Sequence, residues 1–368
     1  MAAKKHTYII TINQFSYAEE DLCRYRYGQT HCELATSDGR ACVKYQMGVL
    51  KTAEEVIHSP LASDALRKMH LYHVMRCGKA LRVGKIVVSI DGHATTFTKD
   101  APGFPFVITM LGSRDLALPE GWKDPGFHES VLGATKTAAA DDLRFVCLYS
   151  FLAGTGKRFQ IDRFTCYWTA MNAHYNYLVA RYKETVDQTT LSASAKKLLK
   201  KVSERGAISA LLRVVCGSGV RSAKNFNENY RDLTYSFRRI HRDTLDDLYD
   251  DLYAHRADPS HIPAGYDEDS RCLGAQLQTL LPLLKMSAYG CILLDYAYYM
   301  RCEYLHGSHT PPLFVNSNDP EIAAFRVLNL FLERYLKDHI PAMFAPGWMD
   351  AEKQNAITAL FTSNDLNG

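Results

Sequence analysis

The residues Leu294-Asp-Tyr-Ala-Tyr-Tyr-Met-Arg-Cys-Glu-Tyr-Leu-His-Gly307 carry the most informative helical pattern in the chain. The apolar residues in and just before this segment recur at helical spacing and form one stripe: Tyr289, Ile292, Leu293, Tyr296 and Met300. Gly307 is followed four and five residues later by Pro311 and Pro312, which is typical of the end of a helix. The segment therefore predicts a packed helix whose last turn carries Arg301 and whose exit carries His306.

Helical spacing also extends over most of the chain on either side of this segment. The periodic stretches are 138–152, 160–183, 192–205, 244–255, 273–305, 320–337 and 351–361. They predict a helical domain over residues 137–368, built as a bundle.

The first 115 residues have a different pattern. The run Tyr8–Ile12 is β-branched and strand-like, and Asp38-Gly39 and Asp91-Gly92 each separate two strand-like runs, which predicts two hairpins. Residues 52–81 are helical in spacing, while 83–89 and 106–111 indicate two more strands. Residues 1–115 therefore predict a small α+β domain, and the proline- and glycine-containing residues 116–136 predict a linker. The fold class is mainly α.

Composition limits the function classes. Of 368 residues, 47% are hydrophobic and 23% are charged, which excludes a disordered or fibrous chain. A net charge of +3 excludes a strongly basic nucleic-acid coat, although a local basic site remains open. The ten cysteines never form a CxxC pair, which favours buried thiols in a reducing compartment. The amino terminus has too short an apolar run for a signal peptide, and Cys291–Met300 falls short of the roughly 20 residues that span a bilayer. We expect a cytoplasmic protein without membrane contact.

Two short motifs resemble binding sites, one for a nucleotide phosphate and one for a metal ion, but each lacks residues that such a site needs. Ala153–Arg158 resembles a phosphate loop, but Phe151 stands where that loop needs glycine and Arg158 where it needs serine or threonine. His70 and His73 share a helical face, but no third ligand follows at a fitting distance.

Two groups of potential ligands are also unconvincing. The group Cys23, His31, Cys32 and Cys42 lacks the short spacings of a zinc site. A run of acidic residues alternates with leucine and tyrosine, as on an amphipathic surface helix: Asp243, Asp246, Asp247, Asp250 and Asp251. The sequence therefore predicts no metal and no cofactor.

Arg301 and His306 have a definite chemical use if they converge. Five residues apart, they lie about 140° apart on an ideal helix, so the unwinding helix end must redirect one of them. A guanidinium binds phosphate and an imidazole transfers protons near neutral pH. Together they can cleave a phosphodiester without a metal when a ribose 2′-hydroxyl is the nucleophile, which implies RNA. Such a pair also arises by chance, and a histidine at a helix end commonly just stabilises the helix dipole.

The run Arg301-Cys-Glu-Tyr-Leu-His306-Gly307 resembles the Arg, four to six residues, His motif of the HEPN superfamily. Upstream, Asp162–Tyr175 resembles the aromatic-rich early helix of the larger HEPN-domain proteins, which packs against the motif helix. Order, separation and helical setting agree. The resemblance covers roughly residues 137–340 and implies a HEPN-like bundle.

The resemblance implies a metal-independent endoribonuclease that acts as a toxin or antiviral defence effector. Arg301 would stabilise the phosphate and His306 would be the acid or base, with two motif copies meeting across a homodimer interface and leaving a cyclic phosphate. The implied partners are RNA, a second copy of the chain and a regulatory protein or ligand. Cys302, Asn172 and Glu303 are supporting candidates. Cys302 stands where active members frequently carry Asn, Asp or His. The alternative role of Asn172 is an interhelical amide, and that of Glu303 is an exposed surface carboxylate.

The alternative is a non-catalytic HEPN module that binds nucleotide, RNA or a partner protein. The near-neutral charge and the weak hydrogen-bonding capacity of a thiol at Cys302 favour it. Several aromatic residues could stack on RNA bases, but their helical spacing predicts that most lie in the core: Tyr167, Trp168, Tyr175, Tyr177, Tyr296, Tyr298 and Tyr299.

Overall fold

The structure is a computed structural model, and it describes residues 4–13, 19–37, 39–79, 81–101, 104, 118, 120–133, 139–216, 230, 250–251, 254–255, 258, 261, 275–280, 289–305 and 320–362. It divides into two compact units. The first comprises Met1–Lys157 with Ile340–Pro346, and the second comprises Arg158–His339 with Gly347–Gly368.

The first unit contains a six-stranded antiparallel sheet. Its strands are β1 His6–Ile12, β2 Asp21–Tyr27, β3 Thr30–Ser37, β4 Arg40–Met47, β5 Lys85–Ile90 and β6 His93–Thr98. They lie in the order β2-β3-β4-β1-β5-β6. The strand β1 alternates buried and partly exposed residues, so one face of the sheet is packed and the other is more open.

The two Asp-Gly hairpins predicted from the sequence are confirmed. Ser37 pairs with Arg40 across the first turn, and Ile90 pairs with His93 across the second. In the second turn Asp91 and Gly92 have φ angles of 49° and 91°. Glycine and aspartate tolerate this left-handed region better than most residues, which explains why this dipeptide forms the turn.

Two helices cover the packed face of the sheet. They are α1, Ala53–Ile57, and α2, Pro60–Cys77. The side chains of Thr52 and Glu55 form a reciprocal capping box at the start of α1, and Pro60 occupies the first turn of α2. The predicted helical region 52–81 is therefore two helices, separated where a proline starts the second.

The first unit also includes a 3-10 turn, Glu120–Lys123, and the helices α3, Pro125–Gly133, and α4, Ala139–Thr155. Trp122 is buried, and its ring contacts those of Phe127 and Phe151. Part of the segment 116–136, which the sequence indicated as a linker, thus contributes to the core of this unit. The predicted strand 106–111 lies outside the described residues.

The second unit is helical in its described residues. Its helices are α5 Gln160–Thr185, α6 Ala193–Lys200, α7 Glu204–Cys216, α8 Tyr289–Leu305, α9 Pro320–Phe344 and α10 Ala351–Thr362, with the last residues of α9 counted in the first unit. The long helix α5 packs against α7, α8 and α10, and rings of α5 contact rings of α9. A mainly helical chain with a small α+β region at its amino-terminal end is confirmed.

Three helical predictions differ in detail from the structure. Residues 192–205 form two helices instead of one, because the Ser203 hydroxyl accepts the backbone N–H of Gly206 and starts α7. The helix α9 continues beyond residue 337 and contains Pro341 in its interior. Of the region 244–255, the helical residues that the structure describes are 250, 251 and 254, and of 273–288 they are 275–280.

Candidate functional site

Arg301 lies in the last turn of α8, as the sequence predicted. The apolar stripe of this helix is buried, with Ile292, Tyr296 and Met300 all within 2% of complete burial. The Arg301 side chain is 18% exposed to solvent. A long cationic side chain can bury its stem in this way while its guanidinium stays near solvent.

A carboxylate orients the Arg301 guanidinium. Nη2 of Arg301 lies 3.3 Å from Oε2 of Glu204, the first residue of α7. A carboxylate is favourable at a helix amino terminus because the helix dipole is positive there. The ion pair therefore joins the last turn of α8 to the first turn of α7.

A tyrosine completes this group, which we call the Arg301 cluster: Arg301, Glu204 and Tyr175. The Tyr175 hydroxyl, on α5, donates a hydrogen bond of 2.8 Å to Oε1 of Glu204. Burial raises the pKa of Tyr175, and the adjacent Glu204 carboxylate raises it further, although Arg301 opposes the shift. The phenol therefore stays protonated at neutral pH and remains a donor.

An aromatic pair flanks the Arg301 cluster. The Trp168 ring lies 6.3 Å from the Tyr175 ring and 6.1 Å from the Tyr298 ring, measured between centroids. Tyr298 is half-buried, whereas Trp168 is buried. The other aromatic residues considered for base stacking are also buried, which confirms that most of them belong to the core: Tyr167, Tyr177, Tyr296 and Tyr299.

His306 follows the last described residue of α8, Leu305, and lies outside the described residues. Cys302 is half-buried, and its Sγ accepts from Nη1 of Arg301 at 3.9 Å. Glu303 is also half-buried. The Cys302 thiol therefore makes a weak contact with the guanidinium of Arg301, the residue that precedes it in the chain.

Asn172 makes its hydrogen bond along its own helix. Its Oδ1 accepts from Nδ2 of Asn176, one turn later on α5, at 2.7 Å. This contact is an ordinary i,i+4 pair on a helix surface. The supporting candidate Asn172 is therefore engaged by α5 itself.

The motifs rejected from the sequence have structural roles. Ala153–Arg158 lies at the end of α4 and in the turn before α5. Burial lowers the pKa of His70 to about 4, and Nδ1 of His73 bonds to the carbonyl of Lys79 at 2.9 Å. Seven of the cysteines are free thiols: Cys23, Cys32, Cys42, Cys77, Cys147, Cys166 and Cys302.

A second polar cluster was missed by the sequence reasoning. Asp251, His255 and His261 place one potential metal-ligand atom each within 4.8 Å of one another. Asp251 was counted only in an acidic helix face, while Asp243, Asp246 and Asp247 lie outside the described residues. The signal in the sequence is the spacing of four between Asp251 and His255, which puts both on one helical face. His261 lies ten residues after Asp251 in the sequence, where no helical spacing indicates that it would join them.

Within the described part of the chain, no helix is both long enough and apolar enough to cross a membrane. Comparison with known proteins gives no assignment, because no family model, no curated protein and no solved structure matches the chain.

Proposed function

We propose that the protein is a metal-independent endoribonuclease whose reacting groups are Arg301 and His306. The observation that carries the proposal is the Arg301 guanidinium in the last turn of α8. Glu204 holds this guanidinium, and His306 follows five residues later in the sequence. The resemblance of this segment to the HEPN motif supports the same assignment and a HEPN-like bundle for residues 137–368.

The proposed reaction is an internal transesterification. The ribose 2′-oxygen attacks the adjacent phosphorus, the bond from phosphorus to the 5′-oxygen breaks, and a 2′,3′-cyclic phosphate and a 5′-hydroxyl result. His306 accepts the 2′-hydroxyl proton or donates a proton to the 5′-oxygen. Arg301 stabilises the charge that develops on the phosphate oxygens.

A second copy of the chain would supply the other proton-transfer group. One imidazole cannot be both deprotonated base and protonated acid at the same moment, so two motif copies meeting in a homodimer satisfy both needs. We propose that the dimer forms through the helical domain. The biological role as a toxin or antiviral defence effector in the cytoplasm, restrained by a regulatory protein or ligand, rests on the resemblance to the HEPN superfamily.

The test is cleavage of a generic fluorescent RNA in EDTA-containing buffer. We expect His306→Ala to lose about 100-fold or more in rate, which is the scale of general acid–base catalysis. Arg301→Ala should lose a similar factor because a stabiliser of developing charge is removed. His309→Ala is the matched control, since it removes an imidazole three residues after His306 in the sequence, outside the Arg-x4-His motif, and it should cleave at the rate of the unaltered protein.

Two further readouts make the test specific. The products should carry cyclic phosphate ends, which a phosphatase removes only after acid has opened the ring. Circular dichroism and light scattering should show that the variants keep their helix content and dimeric state. Full activity of His306→Ala in EDTA would refute the proposal.

The alternative is a non-catalytic module that binds nucleotide, RNA or a partner protein. The Arg301–Glu204 ion pair favours a non-catalytic role for Arg301, because it gives this side chain a structural contact between α7 and α8. Under this alternative the purified protein would bind RNA or nucleotide without cleaving it. Fluorescence anisotropy beside the cleavage assay separates the two functions.

A further inference from the structure

Asp251, His255 and His261 belong to the second unit and are positioned by a short, hydrogen-bonded segment. The His255 N–H donates to the Asp251 carbonyl at 3.0 Å, which is one helical turn. The Asp258 N–H then donates to the carbonyl of His255 at 2.8 Å, and the His261 N–H donates to the carbonyl of Asp258 at 3.4 Å. His261 also lies beside Asp251, with which its side chain makes a hydrogen bond.

Both imidazoles contact Asp251, and Nδ1 of His255 also lies 3.0 Å from the backbone carbonyl oxygen of Asp251. Nε2 of His261 lies 2.6 Å from Oδ2, and Nδ1 of His255 lies 3.4 Å from Oδ1. The two imidazole rings stack, with centroids 3.7 Å apart and planes 12° from parallel. Three potential ligand atoms from one stretch of chain therefore lie within 4.8 Å of one another.

The separations are close to those of a metal site. With metal–ligand bonds of about 2.0–2.1 Å, two ligand atoms of a tetrahedral site lie about 3.3 Å apart. The His255–Asp251 separation of 3.4 Å already has this value. The His261–Asp251 hydrogen bond must open by under 1 Å, and the His255 ring, whose side chain is 46% exposed, can rotate so that the lone pairs converge.

The carboxylate lies on a helical turn that is anchored elsewhere in the second unit. Asp250, the residue before Asp251, forms an ion pair with Arg334 of α9. The side chains of Asp251 and His261 retain 23% and 19% of their exposure. Two of the three ligands are thus partly enclosed, while the exposed His255 leaves a route for an ion from solvent.

The donor set selects the class of metal. Two imidazoles and one carboxylate suit borderline transition ions such as Zn²⁺, whereas Mg²⁺ and Ca²⁺ prefer all-oxygen sites. Three protein ligands would leave one position of a tetrahedral ion for water or an exogenous ligand. Ion binding would also replace the contacts that both imidazoles now make with Asp251.

We propose that Asp251, His255 and His261 form a binding site for one divalent transition ion, with Zn²⁺ as the best fit. This site is separate in chemistry from the proposed nuclease, because it needs the lone pairs of its histidines as ligands and does not use Arg301 or His306. It therefore does not depend on the proposed function.

The test is competition for Zn²⁺ between the full-length protein and a chromophoric chelator, at equal protein concentrations. We expect one ion per chain at this site and little response to Mg²⁺. His261→Ala and Asp251→Asn should each weaken binding by about 100-fold or more, because even residues that only support a ligand cost 10- to 100-fold. Asp258→Asn is the charge-matched control in the same segment, and His58→Ala is the histidine control; both should bind as the unaltered protein does.

Substitution with Co²⁺ identifies the ligands independently of any activity. Nitrogen and oxygen ligands should give visible ligand-field bands without the near-ultraviolet charge-transfer band of thiolate ligands. Unchanged Zn²⁺ affinity in both His261→Ala and Asp251→Asn, or a thiolate band that persists in them, would overturn the proposal and assign binding to cysteines. Circular dichroism of each variant verifies that a lost affinity is not a lost fold.

Discussion

His174 provides a quantitative prediction about acid stability. It lies on α5 and is 1% exposed, with Nε2 3.1 Å from the Tyr335 hydroxyl. Its ring also contacts the rings of His339 and Trp348. Burial, together with the neighbouring His339, lowers the pKa of His174 to about 3. The imidazole is therefore neutral in the folded protein at every ordinary pH.

The sign of the effect follows from proton linkage. In the unfolded chain His174 takes up a proton as the pH falls through about 6.5, whereas in the folded chain it does not do so until about pH 3. The unfolded state thus binds more protons than the folded state between about pH 6.5 and pH 3. The free energy of unfolding therefore decreases as the pH is lowered. Between pH 7 and pH 5 the loss from this residue alone is about 2 kcal/mol, at 1.36 kcal/mol per pH unit.

The assay compares His174→Gln with the unaltered protein in urea at pH 7 and pH 5. Glutamine keeps a neutral hydrogen-bonding group but does not titrate. Tryptophan fluorescence follows the second unit, since two of the three tryptophans, Trp168 and Trp348, lie there. His174→Gln will be less stable at pH 7, but its further loss on going to pH 5 should be smaller by about 2 kcal/mol.

His58→Gln is the control, because it makes the same substitution at an exposed histidine. If the unaltered protein and His174→Gln lose the same stability between pH 7 and pH 5, the imidazole is solvated in the folded state and the reasoning fails.

Two other predictions address the Arg301 cluster and the sheet. Glu204→Gln removes the negative charge beside Arg301, so RNA should bind up to about fivefold more tightly, the scale of a partly exposed ion pair worth about 1 kcal/mol or less; weaker binding in fluorescence anisotropy would contradict this. Ile10→Ala leaves a cavity in the fully buried centre of β1 and should lower the free energy of unfolding by about 2–5 kcal/mol. Thr11→Ala, on the more open face of the same strand, should cost far less in the same urea titration.

The elements that the sequence predicted correctly depend on neighbouring residues. The hairpin at Asp91-Gly92 follows from the backbone preferences of two residues, and α5 and α8 follow from apolar spacing within each helix. The break between α6 and α7 has a local cause too, the Ser203 cap, but it lies inside a region with continuous helical spacing. Periodicity outweighed the cap in the prediction, so one helix was expected where two form.

Strand order and the partners of functional side chains depend on distant residues. The strand β1 lies between β4 and β5, and nothing in the composition of any of these strands specifies that order. The Arg301–Glu204 contact likewise joins the end of one helix to the start of another that is remote in sequence. The sequence shows that Asp251 and His255 are four residues apart, which places them on one helical face. It does not show that His261 contacts the same carboxylate, and only the structure reveals this contact.

A chelator distinguishes the two proposed sites, because one site uses histidine to bind a metal ion and the other uses histidine to transfer protons without a metal. A histidine that binds Zn²⁺ commits its lone pair to the metal, whereas one that transfers protons must exchange its lone pair and its proton during the reaction. EDTA should therefore strip an ion from Asp251, His255 and His261 and leave RNA cleavage by Arg301 and His306 intact. If EDTA instead abolishes cleavage, and His261→Ala does the same while His306→Ala does not, the reacting centre is the metal site and the Arg301 cluster is a structural contact between helices.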